Sequence, residues 1–322
     1  MPITNEQAAW FADAFGKLVD NIDQAIVGKK HQIRLVLTAM ISEGHVLLED
    51  VPGTGKTVLA KALANTLDGT QSRVQFTPDL LPSDVTGVTI YDQGKGKFEF
   101  HPGPIFASVV LADEINRASP KTQSALLEVM EEGVVTIDGV GHSVGRPFMV
   151  IATQNPVEQA GTYKLPEAQL DRFLIKTSLG YPDQQTSVRL LIDSSNRARA
   201  SGVSAIIKPD AIVSMANLAS EVFVDPSIME YLSDIVTMTR KHKDVALGVS
   251  MRGALALARA VKTWAISAGR TYVTPDDVSD LAVPVLAHRV ILDPDAEFAG
   301  VKAEDIIGRI LLDVAPPAYR AA

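Results

Sequence analysis

EDVPGTGKT, residues 49–57, contains most of a phosphate-binding loop. The pattern for such a loop is G-x-x-x-x-G-K-[ST], and the sequence matches its end with Gly55, Lys56 and Thr57. Asp50 stands where the first glycine belongs. The stretch is therefore either a working variant of the loop or a glycine-rich turn with a surface lysine.

The flanking residues favour a working loop. HVLLE (45–49) is a short apolar run typical of a buried strand, and TVLAKALANTLDG (57–69) has helical periodicity with a glycine stop. A strand, a loop and a helix in this order are the context that the phosphate pattern requires. Gly53 and Gly55 still allow the backbone to approach phosphate closely. We interpret Asp50 as a tolerated turn residue, because aspartate adopts tight-turn and left-handed geometry more readily than most residues.

Residues 1–182 predict a parallel α/β core. Further short apolar runs are typical of strands covered on both faces, and helical patterns separate most of them. These runs are RVQF (73–76), SVVLA (108–112), FMVIA (148–152) and FLIK (173–176). Residues 183–322 carry successive helical patterns, several with capping residues and prolines at their starts, which predicts a second, all-helical domain.

Three other segments have recognisable patterns. Residues 5–22 predict an amphipathic helix, with Thr4 and Gln7 at capping-box spacing. The segment 77–104 is rich in Gly, Pro and Asp and contains two strand-like runs. The segment 134–145 alternates in polarity around Asp-Gly, which predicts a β-hairpin. Both later segments lie between core elements, so we expect them to project from the sheet.

Side chains suited to nucleotide hydrolysis lie at the end of the loop and directly after the apolar run VVLA (109–112). In a phosphate loop, Lys56 would neutralise the β- and γ-phosphates and Thr57 would ligate Mg²⁺. Asp113 can hold Mg²⁺ through water, and Glu114 can polarise the attacking water. Two acids after an apolar run are common and are often merely solvated. Downstream of a lysine–threonine loop, they indicate a hydrolytic site.

Three polar residues extend this set, each with a simpler alternative. Asn155 follows the next strand and can orient the lytic water, or it can be a turn residue before proline. Arg172 can face the nucleotide of a neighbouring subunit and stabilise transition-state charge, or it can pair locally with Asp171 or Glu167. Arg252 opens a helix of the second domain and could close over the phosphates, or it can be a solvated helix-start arginine.

Together these motifs resemble those of AAA+ ATPases. They are similar to Walker A, Walker B, sensor 1, the arginine finger and sensor 2, and ADEINRASPKTQSALLEVMEE, ATQNP and LPEAQLDRF resemble the MoxR branch in particular. The resemblance covers roughly residues 20–290. It implies an AAA+ P-loop core with a helical lid, in which 77–104 is the helix-2 insert and 134–145 is the hairpin before sensor 1. Phosphate loops of this branch often carry a residue other than glycine at the first position, so the resemblance implies that Asp50 belongs to a working variant.

The resemblance also implies the residues that bind the nucleotide. An adenine-side segment and the phosphate loop would contact it through Val27, Gly28, Pro52, Gly53, Thr54, Gly55, Lys56, Thr57 and Val58. The sensor 2 stretch departs from the usual form, because GVSMRG replaces the commoner GASPRA. Met251 in place of proline leaves the helix start before Arg252 less fixed.

The function implied by the resemblance is a ring-forming ATPase. MgATP would bind between subunits of a homo-oligomer, expected to be a hexamer, and hydrolysis would move the lid against the core. The resemblance to the MoxR branch further implies a chaperone-like role in maturing or remodelling protein complexes, with a von Willebrand A-domain protein as partner. Two alternatives remain at this stage: the motor subunit of a metal chelatase, which shares both inserts, and a motor that acts on nucleic acid.

The composition of the chain helps to choose among these possible functions. The 322 residues carry a net charge of −8, and the inserts hold few basic residues, so a role on nucleic acid is disfavoured. The absence of cysteine excludes disulfides, thiol catalysis and cysteine-based zinc sites. The N-terminus lacks the basic start and apolar run of a signal peptide, and no stretch of about 18 apolar residues occurs. We expect a cytoplasmic protein without a membrane span.

Overall fold

The computed structural model describes residues 3–51, 53–155, 162–163, 165–192 and 203–317. The strands are β1 (Val46–Glu49), β2 (Gln71–Gln75), β3 (Gly87–Asp92), β4 (Lys97–Pro102), β5 (Val109–Asp113), β6 (Val134–Ile137), β7 (Val140–Ser143), β8 (Met149–Gln154), β9 (Ile175–Thr177), β10 (Val245–Leu247) and β11 (Ile291–Leu292). The helices of the core are α1 (Asn5–Asp23), α2 (Lys30–Ile41), α3 (Lys56–Thr66), α4 (Pro82–Thr86), α5 (Pro120–Glu132) and α6 (Glu167–Leu170). Those that follow are α7 (Gln184–Ile192), α8 (Pro209–Ser220), α9 (Pro226–Lys241), α10 (Met251–Ser267), α11 (Pro275–Leu286), α12 (Pro294–Phe298) and α13 (Ala303–Asp313).

The core contains a five-stranded parallel sheet in the order β2-β5-β8-β1-β9. Each of its strands overlaps one of the five apolar runs, so the predicted parallel α/β core is confirmed. Because the strands are parallel, their carboxyl ends all lie at one edge of the sheet. The phosphate-loop lysine begins α3 at this edge, and the acidic pair ends β5 there.

Alternation of side chains divides the apolar core between the two faces of the sheet. In β1, Val46 and Leu48 belong to the cluster that includes α1, α2, α3 and the second domain, while Leu47 packs with α5 on the other face. Both faces are therefore covered, as expected for parallel strands. The helix α1 begins with the predicted capping box, in which Thr4 and Gln7 exchange hydrogen bonds of 2.9 and 3.2 Å. The sequence patterns did not predict α2, because most of its residues are buried and little amphipathic contrast remains.

The two projecting segments form antiparallel hairpins, β3–β4 and β6–β7. At the base of the first, a Cβ added to Gly87 would lie 2.3 Å from the His101 carbonyl oxygen, so only glycine allows this close crossing. Phe100 of β4 stacks on His142 of β7 at 3.9 Å between ring centroids. The two hairpins are thus in direct contact.

The second domain is helical except for a short antiparallel pair, β10–β11. The sequence patterns indicated helices alone in this domain, because runs of two or three residues are too short to carry a strand period. The domain packs on α1 and α2 of the core. Arg34 of α2 lies over the rings of Phe15 and Trp264, at 5.5 and 4.8 Å from their centroids. Among the described residues, none of the helices has the length and apolar character needed to cross a bilayer.

Candidate active site

The phosphate loop has the backbone geometry that its glycines predict. Gly53 and Gly55 have φ angles of +86° and +99°, a region that favours glycine. A Cβ added to Gly53 would meet no heavy atom within 4 Å, so open space faces the loop. Lys56 begins α3, and its Nζ donates to the Asp50 carbonyl oxygen at 3.1 Å. The positive end of α3 and this lysine suit a phosphate group. Pro52, a predicted contact of the nucleotide, lies outside the described residues.

Asp50 has a different role from the predicted one. Its side chain is buried, with the residue only 4% exposed. One carboxylate oxygen accepts from the backbone N–H of Leu179 at 2.6 Å, and the other accepts from that of Gly180 at 2.9 Å. The four described non-glycine residues with positive φ do not include Asp50. It therefore anchors a distant backbone segment instead of supplying left-handed turn geometry.

Asp113 is held at the carboxyl edge of the sheet by its neighbours. The Thr153 hydroxyl, on β8, donates to one of its carboxylate oxygens at 2.6 Å. Arg73, on β2, donates to the other at 2.7 Å. Thr153 also accepts from the backbone N–H of Glu114 at 2.8 Å, so a single hydroxyl fixes both acidic residues.

Glu114 has a strained backbone and two side-chain partners. Its φ and ψ are 57° and 49°, which is unfavourable for a residue other than glycine and is a recurrent feature of functional sites. Gln75, at the end of β2, donates to its Oε2 at 2.9 Å, and Arg117 donates to the same oxygen at 3.0 Å. The carboxylate is therefore directed by the end of β2 and by the helical turn that follows Glu114.

The structure brings the adenine-side segment to the phosphate loop. The side chain of Ile26 lies 3.5 Å from the position of a Cβ on Gly55, directly before the predicted residues Val27 and Gly28. Gly28 has a φ of +80° and donates from its backbone to Asp23 at 3.1 Å. On the other side of the loop, half-buried Asn155 directly follows β8, and Thr57 and Val58 lie in the first turn of α3.

The two predicted arginines lie together, on an acid that the sequence had not indicated. Arg172 pairs with Glu131 of α5 at 3.1 Å and donates to the Leu127 carbonyl oxygen at 2.5 Å. Arg252 pairs with the other carboxylate oxygen of Glu131. Arg172 thus has a local ion pair, but not with Asp171 or Glu167, the partners that the sequence suggested.

This arginine pair lies at the amino edge of the sheet, opposite the phosphate loop. His45 precedes β1 and contacts the Met130 carbonyl oxygen at 2.9 Å, next to Glu131. The five residue steps from His45 to Asp50 in an extended strand span roughly 17 Å. The sequence allows Arg252 to close over the phosphates or to be a solvated helix-start arginine; the structure places it beside Arg172, a strand length from the phosphate loop of the same subunit. The reason is that the second domain packs on α1 and α2 and presents the start of α10 to the end of α5.

Comparisons with known proteins identify the family and the fold of this chain. Residues 45–175 match the family described as ATPase family associated with various cellular activities (AAA), and residues 237–310 match the AAA lid domain. The chain is 49% identical to an uncharacterized Bacillus subtilis protein, YeaC, over 95% of this chain and 96% of that protein. It is 39% identical to Chaperone MoxR1 of Mycobacterium tuberculosis, over 95% of this chain and 83% of that protein. The crystal structure of a candidate ATPase from Cytophaga hutchinsonii superposes with a TM-score of 0.91 at 39% identity, covering 97% of this chain and 98% of that one.

The chain belongs to the MoxR family of AAA+ ATPases. The predicted fold, an AAA+ core followed by a helical lid, is thereby confirmed. The lid of this MoxR-family chain is fixed to the residues around Arg172. Arg289, on the lid, is 8% exposed; it donates to the Asp171 carboxylate at 2.7 Å and to the Phe173 carbonyl oxygen at 2.7 Å. Ser250 caps α10 and also donates to Asp171 at 3.0 Å, so the helix start is fixed despite Met251.

Several site residues of this MoxR-family chain escaped the sequence patterns. Thr153 and Gln75 are polar residues at strand ends, and that position was their only signal. Glu131 is one of two successive glutamates on a helix, with nothing to distinguish it from a solvated acid. Among the described residues, no group of three His, Asp or Glu side chains is arranged to hold a metal ion. The Asp113 carboxylate and the Thr57 hydroxyl nevertheless suit Mg²⁺, because this ion is commonly held by few protein ligands together with phosphate oxygens and water.

Proposed function

We propose that this MoxR-family protein hydrolyses ATP with Mg²⁺ at a site completed by the neighbouring subunit of a homo-oligomeric ring, a hexamer, in the cytoplasm. One observation supports this more than any other. Lys56, Asp113 and Glu114 gather at the carboxyl edge of the sheet, while Arg172 lies with Arg252 at the amino edge. Each subunit therefore carries a nucleotide pocket and, on its other side, positive charges suited to a neighbour's pocket.

The roles of the residues follow from their positions. Lys56 neutralises the phosphates once its Nζ turns from the Asp50 carbonyl oxygen towards them. Thr57 and Asp113 would hold Mg²⁺, which when bound neutralises charge on the β- and γ-phosphate oxygens. Glu114 accepts the proton of the attacking water, and Asn155 orients that water or contacts the γ-phosphate.

The environment of Glu114 supports its role as the base. Its carboxylate is held by hydrogen bonds from Gln75 and Arg117, on the side of the strand ends where the phosphates would lie. The left-handed backbone turns the chain sharply after Asp113, which allows two successive residues to face the same pocket. The preceding carboxylate, Asp113, is held by Thr153 and Arg73, and its remaining lone pairs would accept from Mg²⁺-bound water.

The arginines support catalysis in trans. A guanidinium near the γ-phosphate stabilises the charge that develops on transfer, and removing it is costly because the site excludes water. Arg172 and Arg252 lie a strand length from their own phosphate loop, and both are partly exposed, so a neighbouring subunit is the geometrically suitable recipient. Glu131 holds the two positive charges side by side.

We further propose that hydrolysis drives chaperone-like maturation or remodelling of a protein complex, together with a von Willebrand A-domain partner. The similarity to Chaperone MoxR1 supports this role. A second support is the β3–β4 hairpin, which exposes apolar side chains to solvent: Ile90 at 49%, Tyr91 at 50% and Phe98 at 71%. Exposed apolar side chains on a projecting hairpin suit transient contact with a client.

The experiment compares ATP binding by isothermal titration in Lys56→Ala and Glu114→Gln. Lys56→Ala should lose binding, since the phosphates lose their main protein counter-charge, whereas Glu114→Gln should keep it. Glu114→Gln loaded with ATP then serves to capture clients, with Lys56→Ala as the matched bait that cannot load. Equal capture by both baits would contradict nucleotide-dependent client binding. ATP turnover stimulated by DNA would favour a nucleic-acid motor instead, and stimulation by a porphyrin-binding protein would favour a chelatase motor.

A further inference from the structure

Asp50 connects the phosphate loop to the segment that joins the two domains. We define this segment, residues 178–183, as the linker. Both carboxylate oxygens of Asp50 are used, one by Leu179 N–H and one by Gly180 N–H. The backbone carbonyl of the same residue accepts from Lys56 Nζ. A single buried residue therefore contacts the lysine that serves the phosphates and the backbone that leads to the lid.

The linker also borders the adenine-side segment. Lys29 Nζ donates to the Tyr181 carbonyl oxygen at 2.9 Å. A Cβ added to Gly28 would lie 3.2 Å from the hydroxyl oxygen of Thr186, in the first turn of α7. Asp183 accepts from Thr186 N–H at 2.7 Å, which attaches that turn to the linker. The linker and the start of α7 thus form one side of the region where the sequence predicts the nucleobase.

We propose that Asp50 is a positioning residue that holds the linker against the nucleobase side of the pocket and thereby sets the affinity for ATP. The proposal rests on the proposed ATPase function. Without the Asp50 carboxylate, the N–H groups of Leu179 and Gly180 lose their acceptors, and Leu179 is only 1% exposed, so water does not readily replace them. The linker then shifts to satisfy these groups, and the close approach of Thr186 to Gly28 loosens with it.

The proposal explains why an aspartate occupies the position of the first glycine. Glycine would permit any backbone angle there but offers no acceptor to the linker. Asparagine has one acceptor oxygen, and its NH₂ group would face the second N–H donor. Both substitutions should therefore release the linker, although Asp50→Gly restores the common phosphate-loop pattern. A turn residue of no further consequence would tolerate glycine without loss.

The test measures KM for ATP, kcat, and hydrogen exchange of the linker amides in Asp50→Gly and Asp50→Asn. The matched control is Asp277→Asn in the lid. Asp277 is also a buried carboxylate, 2% exposed, that accepts from a backbone N–H, that of Thr274 at 2.8 Å; it also forms an ion pair with Arg270, but it serves no part of the pocket. We expect KM to rise about tenfold in both Asp50 variants, the equivalent of about 1.4 kcal/mol and near the lower end for a hydrogen bond to a charged group. At saturating ATP, kcat should stay within about twofold of the wild type.

Exchange at the amides of Leu179 and Gly180, measured without nucleotide, should accelerate about tenfold or more in both Asp50 variants and remain unchanged in Asp277→Asn. Unchanged exchange in a folded Asp50 variant would overturn the anchoring role. Faster exchange with unchanged KM, a fall in kcat without a change in KM, or an equal rise of KM in Asp277→Asn would each overturn the effect on affinity. A wild type that neither binds nor hydrolyses ATP would instead refute the proposed function, while the exchange data would still report on the anchor.

Discussion

Replacing Arg172 with alanine distinguishes a local ion pair from an arginine finger, because the two roles predict very different losses in the rate of ATP hydrolysis. The side chain is 29% exposed in its ion pair with Glu131 and makes one hydrogen bond to a backbone carbonyl. A local role of this kind is worth about 0–1 kcal/mol for the partly exposed pair and about 1.5–3 kcal/mol for the hydrogen bond, in stability alone. An arginine finger contributes about 10³–10⁵ in rate, or roughly 4–7 kcal/mol of transition-state stabilisation. Arg172→Ala should therefore bind ATP nearly normally and hydrolyse it at least about a thousandfold more slowly.

The assay is steady-state phosphate release from each variant alone and after co-assembly with Lys56→Ala. In a mixed ring, a Lys56→Ala subunit lends its intact Arg172 to the pocket of an Arg172→Ala neighbour, so some turnover should return. Arg309→Ala is the control, because Arg309 is an exposed residue of α13, outside both the phosphate loop and the arginine pair on Glu131, and should leave turnover unchanged. Mixed rings that form, as verified by mass, and stay as inactive as their parents would refute the trans role and favour the local pair.

Three other outcomes follow from the structure. Arg289 and Asp171 form an ion pair in which the two side chains are 2% and 19% exposed. Arg289→Met leaves the Asp171 carboxylate without its arginine and should lower the free energy of unfolding in urea by about 3–5 kcal/mol. A loss below about 1 kcal/mol would show that the pair contributes little. Burial lowers the pKa of His45 to about 4. The unfolded chain takes up this proton near pH 6.5 and the folded chain only near 4. As the pH falls from 6.5 to 4, the free energy of unfolding of the wild type should therefore decrease by up to about 3 kcal/mol relative to that of His45→Gln. Parallel pH profiles of the two proteins would contradict this. Shortening the β3–β4 hairpin between Gly87 and Phe98 should preserve ATP binding by titration and impair capture of clients, whereas loss of folded protein would show that the hairpin supports the core.

The sequence predicted those features that depend on neighbouring residues. The five core strands are apolar runs next to turns, and the capping box of α1 needs only Thr4 and Gln7. The phosphate loop was recognisable because Gly53 and Gly55 must adopt positive φ and the lysine follows at once. Such features can be predicted because the residues that form the sequence pattern are the same residues that interact in the folded protein.

The features that the sequence did not predict depend on contacts between distant residues. The partners of Asp50 lie 129 and 130 residues further along the chain, so its anchoring role leaves no local pattern. The position of Arg252 depends on how the lid packs, and the lid could approach either edge of the sheet without any change in its helical periodicity. Glu131 acquires its importance only when both arginines reach it. Such long-range juxtapositions are decided by packing.

Phosphate release by the assembled protein decides whether this chain hydrolyses ATP with Glu114 as the base. The comparison is between the wild type, Glu114→Gln and Glu230→Gln, an acid-to-amide change at an exposed position of α9 in the lid. We expect Mg²⁺-dependent turnover in the wild type and in Glu230→Gln, and a loss of about a hundredfold or more in Glu114→Gln with ATP binding retained. Turnover by Glu114→Gln at the wild-type rate would contradict the assignment of the base, and the absence of turnover in wild-type rings that bind ATP would contradict the proposed ATP hydrolysis itself.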